Sequence, residues 1–406
     1  MLKRDDLLRA LDRLAPRNPR HELELYRRRS DRTRARFEPG RSIAFAHIDE
    51  VGVAVRAVDG RLREGFAATT GFDSRGLDAA TESAIAAIRE PPARGLPRGA
   101  GAPRVDGCLD TAGADAAALA SWLDRLRGRL EAAAETRGGV RVALAEIEAG
   151  RVDEEIVSTC GIDAHRIRER AWATVHAVSA ECGQSWALAA AGRGALPEPE
   201  SLVDAVALLP HAGHVLTPRA GEPVVLAPLA AGVLVRAMAA RVAAGREVPK
   251  ARAAGAGWRL LDRPGAAGAL VGGEFDDTGV PTGESVLADG HTCATGLPAD
   301  GRRWRGSFRD PPQVRAANVE VDLSEERSVD PGGLRVEDVR LHALPGSGWI
   351  LEALAVRPSS GERGRTWLRV RPEDLAERCV AAFGPPRSTA QGVRTPFLVF
   401  DPRGWY

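Results

Sequence analysis

The sequence predicts an α+β protein of two domains, each with a β-sheet and packed helices, the C-terminal one rich in short strands. The chain has 406 residues, and domains commonly run to about 100–200 residues. Alternation of polar and apolar residues, typical of strands, recurs in both halves, and only a few segments have helical spacing. Gly and Pro become frequent between residues 190 and 222. We therefore expect one domain over 1–205 and a second over 206–406.

The N-terminal region is predicted to begin with strands. His21–Phe37 alternates like a strand, and its many arginines fit one solvated face of a sheet better than a nucleic-acid patch. Asp59-Gly60 is a tight-turn signal. Asp73 or Ser74 is in position to cap a helix. The two strands around the turn and the helix after the cap are Val51–Val58, Gly65–Thr70 and Leu77–Ile88.

Further helices and strands follow before the expected domain boundary. Val140–Val157 alternates and predicts two strands on either side of Gly150. Ile167–Ala180 predicts another strand. The helices are predicted by leucine spacing over Asp115–Glu135 and by the pattern of Glu198–Leu209.

The C-terminal half is predicted to open with a short strand that runs into a helix. In Val224–Pro228 the proline stands at the helix start, where its missing N–H costs nothing. After Lys250 the pattern indicates short strands separated by Gly, Pro and Asp turns. The clearest of these strands are Trp349–Val356, Thr366–Arg371 and Pro396–Phe400.

Composition excludes several classes of protein. With 44% hydrophobic and 27% charged residues, the chain is not predicted to be disordered. The net charge of +1 gives no global field for nucleic acid or an anionic membrane, so neither is expected as a partner. Five widely spaced cysteines without a Cys-x-x-Cys pair argue against a disulfide framework and against a zinc site of paired cysteines. The first residues lack the apolar core of a secretory signal, so we expect a soluble, cytoplasmic protein.

One acidic segment is unusual. Glu274, Asp276 and Asp277 lie within four residues, before Gly-Val-Pro-Thr. Their oxygens could hold a hard cation. The alternative is a charged turn in which Asp277 bonds the local backbone, and the sequence leaves both interpretations open.

This segment also resembles a known family. Phe275–Thr282 is similar to the "DDEG-V-P-T" run of the TldD/PmbA (TldD/TldE) metalloprotease family, with Thr278 where the family has Glu. Other resembling pieces occur in the same order along nearly the whole chain. They are Gly52–Arg56, Asp59–Arg61, Gly65–Thr69, Val224–Ala231, Asp262–Pro264, Leu287–Gly290, Pro312–Asn318 and Pro396–Phe400.

The resemblance implies a subunit of the TldE/PmbA type. Catalytic TldD members carry His-Glu-x-x-x-His on the helix after the "V-L-L" strand, and TldE members lack it and pair with them. In this chain the three motif positions are Ala227, Pro228 and Ala231, none of which can bind zinc or act as a base. The third-ligand position falls near Ala382, close to Cys379. We therefore expect no cofactor in this chain and zinc in the partner subunit.

The function implied by the resemblance is that of a non-catalytic partner of a TldD-type zinc metalloprotease. Such a complex cleaves small or post-translationally modified peptides, as in leader removal or peptide maturation in natural-product biosynthesis. The residues that we expect to contact substrate are Glu274, Asp276, Asp277, Thr282, Arg315 and Asn318. Two alternatives stay open. One is a divergent stand-alone peptide-processing hydrolase, with a site near the acidic segment or Cys379, and the other is a peptide-binding protein without catalysis.

Overall fold

A computed structural model gives the fold. It describes residues 5–89, 95–98, 115–137, 139–180, 183, 185–192, 196–243, 258–266, 272–289, 303–305, 307–323, 326–327, 330–343, 348–371, 378–389 and 393–401. Strands predominate and a few helices pack on them, so the α+β class predicted from the sequence is confirmed.

The first sheet has six antiparallel strands. In chain order they are β1 (His21–Phe37), β2 (Ala44–Asp59), β3 (Glu64–Thr69), β4 (Val140–Ser158), β5 (Asp163–Ser179) and β6 (Ser185–Gly192). Their order across the sheet is β3-β2-β1-β4-β5-β6. Because successive side chains alternate between faces, each strand gives one set of residues to either side of the sheet.

Four helices cover one face of the first sheet. They are α1 (Asp5–Leu14), α2 (Ser74–Ala86), α3 (Ala116–Arg137) and α4 (Glu200–Val206). The first two pack over Leu23, Leu25 and Val55, and the last two pack over Ala35 and Ile147 at the other end. Asp73 caps α2, since its Oδ1 accepts a hydrogen bond from the Gly76 N–H at 2.7 Å. The opposite face of the sheet is therefore left for other parts of the chain.

The second sheet has ten strands of mixed direction. They are β7 (Val224–Leu226), β8 (Trp258–Asp262), β9 (Ser285–Asp289), β12 (Val319–Leu323), β13 (Glu326–Arg327), β14 (Leu334–Ala343), β15 (Trp349–Arg357), β16 (Glu362–Val370), β17 (Cys379–Ser388) and β18 (Val393–Phe400). The main order is β16-β15-β14-β7-β18-β12-β8-β9, and β17 pairs with both β18 and β13. Strands β10 (Arg303–Trp304) and β11 (Gln313–Val314) form a separate pair.

Helix α5 (Pro228–Ala243) covers the second sheet. Ala230, Ala231, Leu234 and Met238 enter a core that includes described residues from nine of the strands. The helix begins at Pro228, directly after β7, as the sequence predicts. No helix among the described residues combines the length and the apolar composition that a membrane crossing requires.

The two halves of the chain contact each other. Leu354 and Val356 of β15 lie in the same core cluster as α3 and α4. Trp186 Nε1 on β6 donates to Asp338 Oδ2 on β14 at 2.6 Å. Among the described residues no strand of one sheet pairs with a strand of the other. The domain division at 205/206 stays a prediction.

The predicted break at Gly150 is wrong. Strand β4 runs through it without interruption, and Gly150 pairs with Arg32 of β1 and Arg170 of β5. A Cβ atom at this position would lie 2.2 Å from the Asp31 carbonyl oxygen. The glycine therefore allows the close approach of two strands and does not mark a turn.

Candidate functional site

The acidic turn is buried against the first sheet. Asp276 and Asp277 are each 1% exposed. Asp276 Oδ1 accepts hydrogen bonds from the Thr278 N–H at 2.8 Å, the Thr278 hydroxyl at 2.7 Å and the Val280 N–H at 3.1 Å. Its Oδ2 accepts from the Arg303 N–H at 2.8 Å. Burial raises the pKa of Asp276 even though four donors reach its carboxylate. The hydrogen bonds of Asp276 thus stabilise the conformation of the turn.

Asp277 connects the turn to the sheet. One carboxylate oxygen accepts from the Arg305 N–H at 2.6 Å, and the other pairs with the buried guanidinium of Arg166 on β5. Arg166 also donates to the Phe275 carbonyl oxygen, and its guanidinium lies 4.9 Å from the centre of the Phe275 ring. The sequence leaves open a charged turn in which Asp277 bonds the local backbone. In the structure the carboxylate of the neighbouring Asp276 does this, and Asp277 bonds the distant Arg166.

Glu154 of β4 balances the charge of Arg166. Its carboxylate accepts from Arg166 Nε at 2.7 Å, from the Tyr26 hydroxyl at 2.6 Å and from Arg168 at 2.7 Å. Burial alone would raise the pKa of Glu154, but the charges of Arg166 and Arg168 hold it well below its usual range. Burial and the Glu154 charge raise the pKa of Tyr26 well above its usual value, so its hydroxyl remains a donor.

A second group of buried ion pairs lies beside the one formed by Asp277, Arg166 and Glu154. Glu24 accepts from Arg305 at 2.8 Å and from Arg56 at 3.0 Å, and all three side chains are at most 1% exposed. The Arg305 guanidinium also stacks 4.6 Å from the centre of the Tyr26 ring. Residues 275–277 and 303–305 are therefore attached to the first sheet by buried charges and aromatic rings.

The other predicted substrate residues are distributed around this turn. Glu274 is exposed. The half-buried Thr282 hydroxyl donates to the Gly273 carbonyl oxygen, and Arg315 donates to the Arg305 carbonyl oxygen at 2.9 Å. Asn318 is 4% exposed, and its N–H donates to Asp262 Oδ1 at 3.1 Å. Most of the six side chains thus have hydrogen bonds within the fold, and their contact with substrate stays a prediction.

The positions of the zinc motif lie in the core of the second sheet. Ala227 and Ala231 are 4% and 0% exposed. The expected third-ligand position, Ala382, is also fully buried, and it lies in the same core cluster as Ala231 and Cys379. These positions are therefore buried and occupied by apolar side chains. Within the described residues, no group of three His, Cys, Asp or Glu side chains has the arrangement of a metal site.

Close packing at the start of α5 leaves little space there. A Cβ atom on Gly232 would lie 2.6 Å from Thr389 Oγ1, so the helix backbone contacts this side chain directly.

Burial raises the pKa of Cys379 to about 12, which leaves the thiol protonated at neutral pH. A protonated, buried thiol is a poor nucleophile and a poor metal ligand.

Sequence reasoning missed the partners of the acidic turn. Arg166 and Asp277 are separated by 111 residues, and Glu24 and Arg305 by 281. The local signal is the arginine-rich run of β1, which from the sequence we interpret as one solvated face of a sheet. Arg27 and Arg28, which point to opposite faces of the sheet, are in fact 8% exposed each, so that interpretation is wrong at both positions.

Three solved structures share this fold over nearly the whole chain. TldE from Thermococcus kodakarensis is 16% identical, with a TM-score of 0.75 over 97% of this chain and 98% of that one. A proposed modulator of DNA gyrase from Thermotoga maritima is also 16% identical, with a TM-score of 0.72 over 98% of both chains. Another proposed modulator, from Bacteroides thetaiotaomicron, is 14% identical, with a TM-score of 0.64 over 98% of this chain and 97% of that one. The sequence matches no protein-family model and no curated protein. The resemblance drawn from the motifs is confirmed at the level of the fold.

Proposed function

We propose that this chain is the TldE-like, non-catalytic subunit of a cytoplasmic complex with a TldD-type zinc metalloprotease. The observation that carries the proposal is the start of α5, where Ala227, Pro228 and Ala231 stand at the motif positions and pack into the core. Zinc hydrolysis needs about three protein ligands, an open position for water and a base. The partner supplies these groups, and this chain supplies part of the surface that holds the peptide.

The substrate that we propose is a small or post-translationally modified peptide, such as a natural-product precursor whose leader is removed. An extended peptide binds well by adding a strand to a sheet edge. Strand β9 is the edge strand next to the acidic turn, and within the described residues it pairs only with β8. Val286 of β9 is 39% exposed, which fits an apolar contact with such a peptide.

Reconstitution tests the proposed partnership. This chain, a TldD-type protein from the same source, and a mixture of the two are incubated with peptide, with and without a chelator. We expect cleavage to increase in the mixture and to stop with chelator, because correct positioning of the scissile bond lowers the barrier. Chelator-resistant cleavage by this chain alone would instead support the stand-alone hydrolase.

Paired variants test the peptide edge. Val286→Asp places a charge on β9, and Val314→Asp is the matched control, since Val314 is 42% exposed on β11. We expect the first variant to weaken peptide binding by about tenfold and the second to leave it unchanged. Equal effects would exclude β9 as the binding edge. Peptide binding without any complex formation would favour the binding-protein alternative.

A further inference from the structure

A polar pocket lies on the open face of the first sheet, beyond the buried acidic turn. It is lined by Arg28, Ser30 and Arg32 of β1, Glu50 of β2, Arg170 of β5, and the loop residues Ser307 and Phe308. Its volume is about 140 Å³. That is well above the roughly 10–15 Å³ that a single water molecule requires. The pocket can therefore take a small polar group.

Strand geometry explains why arginines converge here. Arg28, Ser30 and Arg32 alternate along β1 and so point to one face. Arg32 and Arg170 stand in the same row, each paired with Gly150 of the strand between them. Because this glycine has no side chain, nothing from β4 fills the space between the two arginines.

The far wall is fixed by a close contact with the sheet. The Phe308 ring lies directly on Gly52 of β2, where a Cβ atom would be 2.0 Å from the ring. Ser307, its neighbour, donates its hydroxyl to Asp310 at 3.1 Å. The wall is thus part of a built structure, and the hydroxyl that remains for a ligand is that of Ser30.

The charges of the lining leave an excess of positive groups. Arg32 pairs with Glu148 at 2.6 Å, and the lining residue Glu50 forms an ion pair with Arg309. Arg170 forms no ion pair with any described residue. Arg28, Arg168 and Arg32 are close enough to repel it, and the charge of Glu154 offsets part of this repulsion. Loss of hydration and these positive charges lower the pKa of Arg170 to about 10.

An unused hydrogen-bonding group faces the same space. Ser30 is 3% exposed, and its Oγ has no hydrogen-bond partner among the described residues. Buried hydroxyls are normally bonded, so a donor left open in a pocket is unusual. A ligand that accepts from the Ser30 hydroxyl and neutralises Arg170 would satisfy both groups at once.

We propose that this pocket binds an oxyanion, namely a carboxylate or phosphate group of a ligand. Guanidinium groups bind both through paired N–H···O bonds, and Arg170 supplies such donors in the pocket that the Ser30 hydroxyl also lines. The proposal goes beyond the proposed function and does not depend on it, because binding is measured on this chain alone.

Titration with two defined probes tests the site. Inorganic phosphate and glutarate are added separately at constant ionic strength, and binding is followed by calorimetry and by the thermal midpoint. We expect saturable binding of at least one probe. Comparison of the two titrations shows whether the pocket prefers phosphate or carboxylate. Arg170→Gln should weaken binding at least tenfold, and Ser30→Ala by severalfold.

A matched variant separates a site from general charge. Arg151→Gln removes an exposed arginine from the neighbouring strand, on the opposite face of the sheet, and should leave binding unchanged. Arg170→Gln should fold normally, since it removes a repelled charge with no described ion pair; its unliganded thermal midpoint checks this. The proposal is overturned if neither probe binds, or if Arg170→Gln and Ser30→Ala both bind as the parent does. Equal losses in Arg170→Gln and Arg151→Gln would also overturn it.

Discussion

Asp338 provides a test of the contact between the two halves of the chain. It lies on β14, and Trp186 of β6 donates to its carboxylate at 2.6 Å. The Val339 N–H donates to it as well, and Arg340 is the nearby cation. Burial outweighs these favourable partners and raises the pKa of Asp338 to about 6.

The sign of the pH effect follows from proton binding. Between about pH 4 and pH 6 the folded state holds a proton on Asp338 that the unfolded chain has released. The free energy of unfolding therefore falls as the pH rises through this window. The rise from 3.8 to about 6 corresponds to about 3 kcal/mol, at 1.36 kcal/mol for each pKa unit.

The substitution Asp338→Asn removes this dependence. The asparagine carbonyl can still accept from Trp186, but the side chain cannot ionise. Any fixed cost of its amide group is the same at every pH. We expect the stability of the variant relative to the parent to increase by about 2.5 kcal/mol between pH 4 and pH 8, because part of the effect is already present at pH 4.

Urea unfolding followed by tryptophan fluorescence at pH 4, 6 and 8 measures this difference. Asp322→Asn is the control, because the Asp322 side chain is 47% exposed and its contact with Arg259 is long, at 3.8 Å. The control should change stability by less than about 1 kcal/mol at each pH. A difference between Asp338→Asn and the parent that stays constant from pH 4 to pH 8 would refute the reasoning.

Three further predictions concern other buried positions. Asp277→Asn removes one of the two buried carboxylates that pair with Arg166 and should lower the free energy of unfolding by about 3–5 kcal/mol; a loss below about 1 kcal/mol in urea unfolding would contradict the buried ion pair. Gly52→Ala should cost about 1–3 kcal/mol, and a double-mutant cycle should show less cost in a Phe308→Ala background, where the clash is absent. Cys379 should resist alkylation at pH 8 until the protein unfolds, since burial raises its pKa to about 12; rapid labelling of the native protein, mapped by mass spectrometry, would show an accessible thiol.

Local signals in the sequence were sufficient for many elements. The turn at Asp59 forms because its carboxylate accepts from the Arg61 and Arg63 N–H groups at 2.9 Å, a short-range interaction. The cap of α2 by Asp73 is equally local. Such contacts depend on neighbouring residues alone, and the residue types that make them are visible in the sequence.

Signals that depend on distant strands were misread or missed. Gly150 is a turn residue by local criteria, and only the approach of β1 explains its place inside β4. The sequence shows that the acidic turn is unusual, but the main partner of the turn, Arg166, lies in the other half of the chain. Pairing of buried charges depends on sheet order, which alternation along a strand does not encode.

The buried charges have a consequence for the pocket next to them. Buried ion pairs add little net stability, because desolvation offsets most of their attraction, but a displaced partner leaves an unpaired buried charge at high cost. The buried pair of Arg305 with Glu24 therefore holds residues 303–305 in place on the sheet. Phe308 follows three residues after Arg305 and forms the far wall of the polar pocket proposed as an oxyanion site. Loss of the Arg305–Glu24 pair should thus disturb the pocket as well as the fold, which makes the oxyanion site dependent on the contact between the two halves of the chain.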